Sequence, residues 1–574
     1  MEKQEVTIKV GGEAGFGIKV SGLILGKTLF NAGFKVFGYS EYPSLIRGGH
    51  NLYQLNISGK NVYSATKKID ILVALNMETV ELHESELNSG GFLIYDGLKL
   101  NKKDFKDINL IDIPLTDYAE NAGHILTRNV VSLGAVMYAL GLDLKLFNQA
   151  LAHEFGSKGD KVVKMNEKAA RAGYEHIQKS KITNFGLKPL NEKNLDNSYI
   201  MTANEATAYG MIQAGCKLYS AYPMTPATSI MHVLAQKSRE QDLVVHQTED
   251  EISAIGAAIG AATTGVRAAT GTSGGGFALM VENLGLAAMT ETPLVIIESQ
   301  RTAPATGLPT WTEQGDLQFM IRASHGEFPR YVIAPGDAEE AFYMIQEGFN
   351  LAEKYQVPVI FLLDKLLSES DYIMESIDKD RIKIKREGIL EDSEVEKMKD
   401  FKRYELTKNG ISKRALPGQE GGVHVINSDD HDEHGFSIED SESRIAMMDK
   451  RYKKVEHMLA EIPEPKLYGP KNADLTVVGW GSVKGAVVDG LDGVGEGEKV
   501  NFLHIAYVWP FPTKRVKKVL EGAKNILLVE NNKTGQLGDL IRQETGIEIK
   551  NKFLKYDGRP FFREEVVEEI NKYI

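Results

Sequence analysis

The stretch from Tyr219 to Asp316 restricts the fold more than any other part of this 574-residue chain. A helix-like segment from Asn204 to Gly215 leads into a short apolar run, Lys217 to Ala221, and then into the turn Tyr222-Pro223-Met224-Thr225-Pro226-Ala227-Thr228. Pro223 and Pro226 fix their own φ angles and push Tyr222 and Thr225 toward extended geometry, so the turn is stiff. Thr228, ahead of Ser-Ile-Met-His-Val-Leu-Ala, reads as the N-cap of a following helix. Three further strand-like runs follow. Val244-Val245-His246-Gln247 precedes the acids Glu249, Asp250 and Glu251 and a helix of small residues, Ala268 to Thr272 ends in Ser273-Gly274-Gly275-Gly276, and Pro293 to Gln300 runs into Arg301 and the loop Thr302 to Thr310. Strands alternating with helices predict a parallel sheet covered on both faces, with ligands held at the strands' carboxyl ends.

These four segments, in this order, resemble the pyrimidine-binding domain of the 2-oxoacid:ferredoxin oxidoreductases, which use thiamine diphosphate. The Tyr-Pro-Met-Thr-Pro turn (Met224 where the family usually has Ile), the acid before a Gly/Ala helix, and the Arg301…Thr306-Gly-Leu-Pro-Thr310 loop carry the resemblance.

Composition narrows the function. The apolar share of 42% and the 25% of charged residues suit a globular protein, and a formal net charge of −12 argues against nucleic-acid binding. No run approaches the length of a membrane span, and the N-terminal residues lack the pattern of an export signal, so a cytoplasmic protein is expected. The single cysteine, Cys216, excludes intrachain disulfides and reads as core. Cubane iron–sulfur clusters need four thiolates, so this chain cannot hold one alone.

The remaining chain supports an α/β fold of three doubly wound βα domains. The strand 5–10, the glycines at 11, 12, 15 and 17 and a helix from Ile18 to Ala32 lay out a phosphate cradle, although not the spacing of a dinucleotide fingerprint. With the loop Ser40 to His50, which contains Arg47-Gly-Gly, this resembles the family's gamma domain, expected over 1–185. The resemblance makes Gly12, Gly15, Gly17 and Arg47 candidates for coenzyme A. The pyrimidine-binding domain is expected over 198–385 and a charged connecting segment over 386–468. In that segment His424, Asp429, Asp430, His431, Asp432, Glu433 and His434 crowd together without the spacing of familiar metal ligands, which predicts a solvated loop. Residues 469–574 repeat the strand–helix alternation and resemble the C-terminal domain of transketolase-like enzymes; Ser482 reads as an N-cap.

The resemblance also assigns chemistry. A carboxylic acid must meet the aminopyrimidine ring in a water-poor site. By residue pattern alone, Thr248-x-x-Glu251 is a capping box; the resemblance places the catalytic acid at Glu251, with Glu249 as fallback. A guanidinium fork suits a substrate carboxylate, which points to Arg301, with Thr225, Thr306 and Thr310 as hydroxyls around cofactor and substrate and Tyr222 and Pro223 in the cofactor turn. Without Arg301, Arg47 or Arg267 would be next. The sequence shows no Gly-Asp-Gly followed by an Asn pair, the family's magnesium–diphosphate motif. The resemblance therefore implies a beta subunit carrying Mg2+ and [4Fe–4S] sites, ferredoxin as electron partner, and a dimer of alpha–beta heterodimers. The implied reaction is oxidative decarboxylation of a 2-oxoacid with coenzyme A, with 2-oxoglutarate favoured over pyruvate or branched-chain oxoacids. Two other readings stand beside it: an NAD-dependent dehydrogenase using the N-terminal glycine turn, and a non-catalytic scaffold.

Overall fold

The computed structural model describes residues 4–44, 48–98, 100, 105–180, 182–189, 198–374, 376–378, 381–495 and 499–574. They form two compact units. One comprises Met1–Met201, Glu369–Ile377 and Phe561–Glu568, the other Thr202–Ser368, Asp378–Pro560 and Glu569–Ile574.

The first unit is built on a six-stranded sheet in the order Lys35–Glu41, His50–Ser58, Glu5–Glu13, Ile69–Ala74, Leu87–Tyr95, Asn109–Asp112. The last four strands are parallel, and His50–Ser58 runs antiparallel to both its neighbours. The predicted strand 5–10 extends to Glu13, because Gly11 and Gly12 continue the ladder opposite Leu52 and Asn51. Both glycines are needed for packing: a Cβ on Gly11 would sit 2.5 Å from Thr79 Cγ2, and one on Gly12 would sit 3.0 Å from Leu75 Cβ. The turn itself is Ala14–Gly17, with Gly15 and Gly17 at positive φ. The helix Ile18–Asn31 follows with no side-chain cap. Gly134 and Gly173 let the helices Arg128–Leu140 and Asp160–Lys179 touch backbone to backbone, since a Cβ at either would overlap a facing carbonyl within 1.9 Å.

The second unit contains two sheets. Seven strands lie in the order Tyr507–Trp509, Tyr331–Ile333, Pro358–Asp364, Leu294–Gln300, Arg267–Thr272, Cys216–Ala221, Val244–Gln247, all parallel except the first. Five more follow the order Lys466–Tyr468, Val500–His504, Leu475–Gly479, Asn525–Glu530, Asn551–Leu554, parallel except for the first. One hydrophobic cluster runs from Ile255, Phe277 and Ile296 to Trp480, Leu503 and Leu540. The two sheets therefore share a core, and Tyr507–Trp509 joins the seven-stranded sheet although it follows most of the five-stranded one in sequence.

The strand expected at Val244–Gln247 lies at the sheet edge, with Val244 largely exposed, because it has a neighbour on one side only. One expectation needs correction here. The histidine- and aspartate-rich segment is not a simple solvated loop. His431 is fully buried against the Tyr404 ring and hydrogen-bonded to the Asp429 carbonyl, Asp430 pairs with Arg444 and Arg451, Glu433 with Lys402, and His434 with Asp400. Its charges are met within the protein, and no metal-binding group of three such side chains occurs among the described residues. Nor is any helix among them long and apolar enough to cross a membrane.

Candidate active site

The site forms at the carboxyl ends of the seven-stranded sheet, where four segments converge. Cys216–Ala221 delivers the proline turn; Cys216 itself is core, its thiol pushed up to about 12 by burial. Two side chains from elsewhere hold the turn by its carbonyls. Asn204, buried in the helix Ala203–Gln213, donates to the Pro226 carbonyl at 2.8 Å and to Ser229 Oγ at 2.7 Å. Arg301 donates through Nη1 to the Thr225 carbonyl at 2.8 Å. Asn204 was missed in the sequence because nothing local marks an asparagine inside a helix as a clamp on a turn 22 residues away. Thr228 is not an N-cap. Ala227 takes that position and Thr228 is the first helical residue, since Pro226 sets the entry one residue early.

The helix Glu251–Thr263 supplies the acid. Its N-cap is Asp250, whose carboxylate accepts the Ser253 N–H at 2.8 Å, while Thr248 donates to the Asp250 carbonyl at 2.8 Å. The Thr248–Glu251 capping box is thus not formed, and Asp250 leaves Glu251 free to turn inward. Glu251 is only 4% exposed, and its Oε1 has no hydrogen-bond partner among the described residues. A buried acceptor without a donor costs about 1–3 kcal/mol. Glu249, by contrast, is exposed and accepts from Ser253 Oγ at 2.7 Å, which removes it as the alternative acid.

The glycine turn after Arg267–Thr272 packs directly against Glu251. A Cβ on Gly276 would lie 2.1 Å from Thr272 Oγ1 and 2.7 Å from Glu251 Oε1; Thr272 Oγ1 also touches Met224 Sδ at 3.8 Å. Proline turn, acid and glycine turn therefore meet at one point. The helix Gly274–Met289 begins there without a side-chain cap, and Ser273 Oγ is buried with no partner among the described residues.

The loop after Leu294–Gln300 closes over this point. Thr302 closes the loop by donating its N–H to the Trp311 carbonyl at 3.1 Å and accepting the Leu308 N–H at 3.1 Å, and the Ala305 carbonyl lies 3.9 Å from where a Gly275 Cβ would be. Thr310 Oγ1 is buried without a partner among the described residues, whereas Thr306 sits exposed at the crown. Tyr222 is exposed and Pro223 half-buried at the lip of the turn. The structure thus joins Arg301 to Thr225 and links Glu251 to the same turn through Gly276, Thr272 and Met224, and it gives Thr306 no described contact with them. Arg301 has no carboxylate within ion-pair distance among the described residues, and Glu313 accepts the Ala303 N–H at 3.1 Å. Arg267 is no substitute for it, being buried in an ion pair with Glu353 at 2.7 Å and bonded to the Ala214 and Lys385 carbonyls.

Below the site lies a group of acids. Burial and the neighbouring Glu313 push the Asp316 carboxyl up to about 6. Burial pushes Asp364 up to about 6 against the donors that meet it, Ser482 among them. The Ser482 hydroxyl therefore serves Asp364 rather than capping the helix Val483–Leu491.

The profile of the pyruvate flavodoxin/ferredoxin oxidoreductase thiamine diphosphate-binding domain matches residues 209–450, that of pyruvate ferredoxin/flavodoxin oxidoreductase matches 7–176, and that of pyruvate:ferredoxin oxidoreductase core domain II matches 473–566. The 2-oxoacid:ferredoxin oxidoreductase subunit alpha of a Sulfolobus species is 36% identical over 98% of this chain and 96% of its own. The 2-oxoglutarate oxidoreductase subunit KorA of Mycobacterium tuberculosis is 27% identical over 98% and 90%. Among solved structures, the 2-oxoglutarate:ferredoxin oxidoreductase of Magnetococcus marinus, with 2-oxoglutarate, coenzyme A and succinyl-CoA bound, covers 100% of both chains with a TM-score of 0.93 and 30% identity. Fold and site define an oxidoreductase with a thiamine-diphosphate-binding domain. Within that class, the chain belongs to the 2-oxoacid:ferredoxin oxidoreductase family, as an alpha subunit.

Proposed function

We propose that this alpha subunit contributes the aminopyrimidine half of the active site to an enzyme that oxidatively decarboxylates a 2-oxoacid, 2-oxoglutarate before pyruvate. Coenzyme A is the acyl acceptor and ferredoxin the electron acceptor. The observation that carries this reading is Glu251: a buried carboxyl at a helix start whose Oε1 has no partner among the described residues and packs against Gly276. Thiamine diphosphate held beside this acid would supply an acidic carbon that can add to a 2-oxoacid carbonyl. Glu251 then holds or releases a proton at Oε1, the free atom. The enclosed setting raises the effect of every charge placed in it. The proline turn, clamped by Asn204 and Arg301, would present Thr225 to a bound cofactor. Arg301, whose one described hydrogen bond is to a carbonyl, keeps donors for the substrate carboxylate.

The diphosphate, Mg2+ and a [4Fe–4S] cluster are assigned to a beta subunit, because a chain with one cysteine lacks the four thiolates. For coenzyme A the candidates are the open turn at Gly15 and Gly17, with Gly12 supporting it through packing; Arg47 lies outside the described residues. The family membership and the 2-oxoglutarate-bound relative support the substrate order. Reconstitution with the beta subunit, thiamine diphosphate, Mg2+ and ferredoxin tests the reading. Ferredoxin reduction should require both a 2-oxoacid and coenzyme A, with a higher kcat/KM for 2-oxoglutarate than for pyruvate. The chain alone should bind no iron and turn over nothing. Equal activity without the beta subunit, or an absolute preference for pyruvate, would contradict it.

A further inference from the structure

At the amino ends of the seven-stranded sheet, opposite the active site, three guanidinium groups share one carboxylate. Glu353, buried near the end of the helix Ala338–Tyr355, accepts on Oε2 from Arg267 Nε at 2.9 Å and Nη2 at 2.7 Å. Its Oε1 pairs with Arg386 Nε at 3.0 Å. Arg414 Nη2 stands off from the same Oε1 at 3.8 Å, beyond hydrogen-bond length. Arg267 opens the strand Arg267–Thr272, whose other end packs against Gly276. About 17 Å of strand therefore separates this cluster from the active site.

Arg414 is the cation left over. It is 4% exposed, and neither its Nε nor its Nη2 has a hydrogen-bond partner among the described residues. The N–H bonds on those two nitrogens run parallel, so together they form one open fork. Ser412 lies two residues away on the buried side of an alternating run, with Lys413 exposed between them. The Ser412 Oγ is likewise buried without a partner among the described residues. Burial, with Arg403 and Arg386, lowers the Arg414 guanidinium to about 10 against the pull of Glu353, which leaves it charged at neutral pH.

The neighbouring acid is already taken. Arg403 donates to Gln356 Oε1 at 2.9 Å and to the Thr290 and Glu291 carbonyls, and the Glu291 carboxylate is held by Lys450 and Lys454. A buried cation without a counter-charge is strongly destabilising. A water molecule would satisfy the open N–H groups but not the charge. Arg267, Arg386 and Arg414 against the one Glu353 carboxylate leave two positive charges over, which matches the charge of about −1.5 to −2 on a phosphate group at pH 7.

We propose that the Arg414 fork, with Ser412 and Arg386, is a binding site for a phosphate group, separate from the active site. Arg386 is 43% exposed and gives the site its opening to solvent. Lys385 and Lys413, next in sequence to the two arginines, are exposed, as is the one nearby acid in sequence, Glu387. In a chain of net charge −12 this local excess of cations draws anions to the opening.

The test titrates the full chain with inorganic phosphate, using equilibrium dialysis for affinity and urea unfolding read by tryptophan fluorescence for stability. All three tryptophans lie in the second unit, as does the proposed site, so phosphate held elsewhere in the first unit does not enter the fluorescence. The wild-type urea midpoint should rise and saturate with phosphate, and acetate at equal ionic strength should not reproduce it. Losing a charge-assisted fork should weaken phosphate binding by about ten- to a hundredfold in Arg414→Met. Without phosphate, Arg414→Met should unfold at a higher urea concentration than wild type, because it removes the uncompensated buried charge. Should Arg414→Met fail to fold, Arg414→Lys, which keeps the charge and loses the fork, should show the same weakening. A glycerol phosphate that binds more tightly than inorganic phosphate would assign the site to a phosphomonoester, and equal affinity would assign it to the free ion. A phosphate response that is the same in wild type and variant, that never saturates, or that acetate matches overturns the proposal.

Discussion

Glu291→Gln should unfold the second unit far more easily than its position at the end of a surface helix implies. Glu291 lies just after the helix Gly274–Met289, at φ 48°, with its side chain almost wholly enclosed. Lys450 reaches its Oε1 at 2.5 Å, Lys454 pairs with Oε2, and Arg403 donates to its carbonyl at 2.8 Å. Both lysines come from the helix Ser441–Glu461, so this cluster ties the charged connecting segment to the far end of the helix that starts at the active site. Burial alone would raise the Glu291 carboxyl, but Lys450, Lys454 and Arg403 overcome it and hold the group well below the usual range. A folded value below the unfolded one means that its contribution is present above about pH 4.5 and lost as pH falls through the folded value. Removing one member of a buried ion cluster costs about 3–5 kcal/mol, and here two ammonium groups lose their partner; burial already holds Lys454 down to about 8. The three tryptophans, Trp311, Trp480 and Trp509, all lie in the second unit, so intrinsic fluorescence in urea reads its unfolding alone. Glu291→Gln should lose about 3–5 kcal/mol there, and adding Lys450→Met and Lys454→Met should recover most of it. A loss below about 1 kcal/mol would refute the reasoning, because the cluster would then contribute no more than a surface pair.

Other outcomes follow from the same contacts. Arg301→Ala should raise KM for the 2-oxoacid by about ten- to a hundredfold in steady-state assays at neutral pH, with Arg301→Lys intermediate. Gly276→Ala should lower thiamine diphosphate affinity in the assembled enzyme by at least about tenfold, measured by titration. Gly256→Ala, where an added Cβ meets nothing within 4 Å, should instead raise the stability of the isolated chain by about 0.5–1 kcal/mol. Asp316→Asn should stabilise the fold. A carboxyl raised from 3.8 to about 6 binds its proton more tightly when folded, so it weakens stability as pH rises through that window. The gain on denaturation should reach about 3 kcal/mol at pH 7 and vanish below about pH 4.

The alternation of strands and helices, the proline turn and the glycine turns were all legible in the sequence, because each rests on local chemistry. What escaped it depended on one-residue choices and on distant contacts. Glu249, Asp250 and Glu251 form a run of three acids, and any of them could cap a helix; only the structure shows Asp250 taking that role and Glu251 turning toward Gly276. Glu298 reads as an interruption in an apolar strand, and its neighbours Asp316 and Asp364 are brought beside it by the sheet register and the loop that follows. Val244–Gln247 was legible as a strand, but its place at the sheet edge follows from strand order alone. The clamp by Asn204 and the pairing of Glu291 with Lys450 and Lys454, 159 and 163 residues away, have no local signature at all.

The central claim is that Glu251 is a proton-handling group rather than part of a helix cap, and hydrogen–deuterium exchange at the reactive thiazolium carbon in the assembled enzyme tests it most directly. Glu251→Gln should slow that exchange by about 10²–10⁴-fold while leaving the melting temperature of the chain unchanged or slightly higher. Exchange within about threefold of wild type, with a lowered melting temperature, would make Glu251 a structural residue and contradict the account.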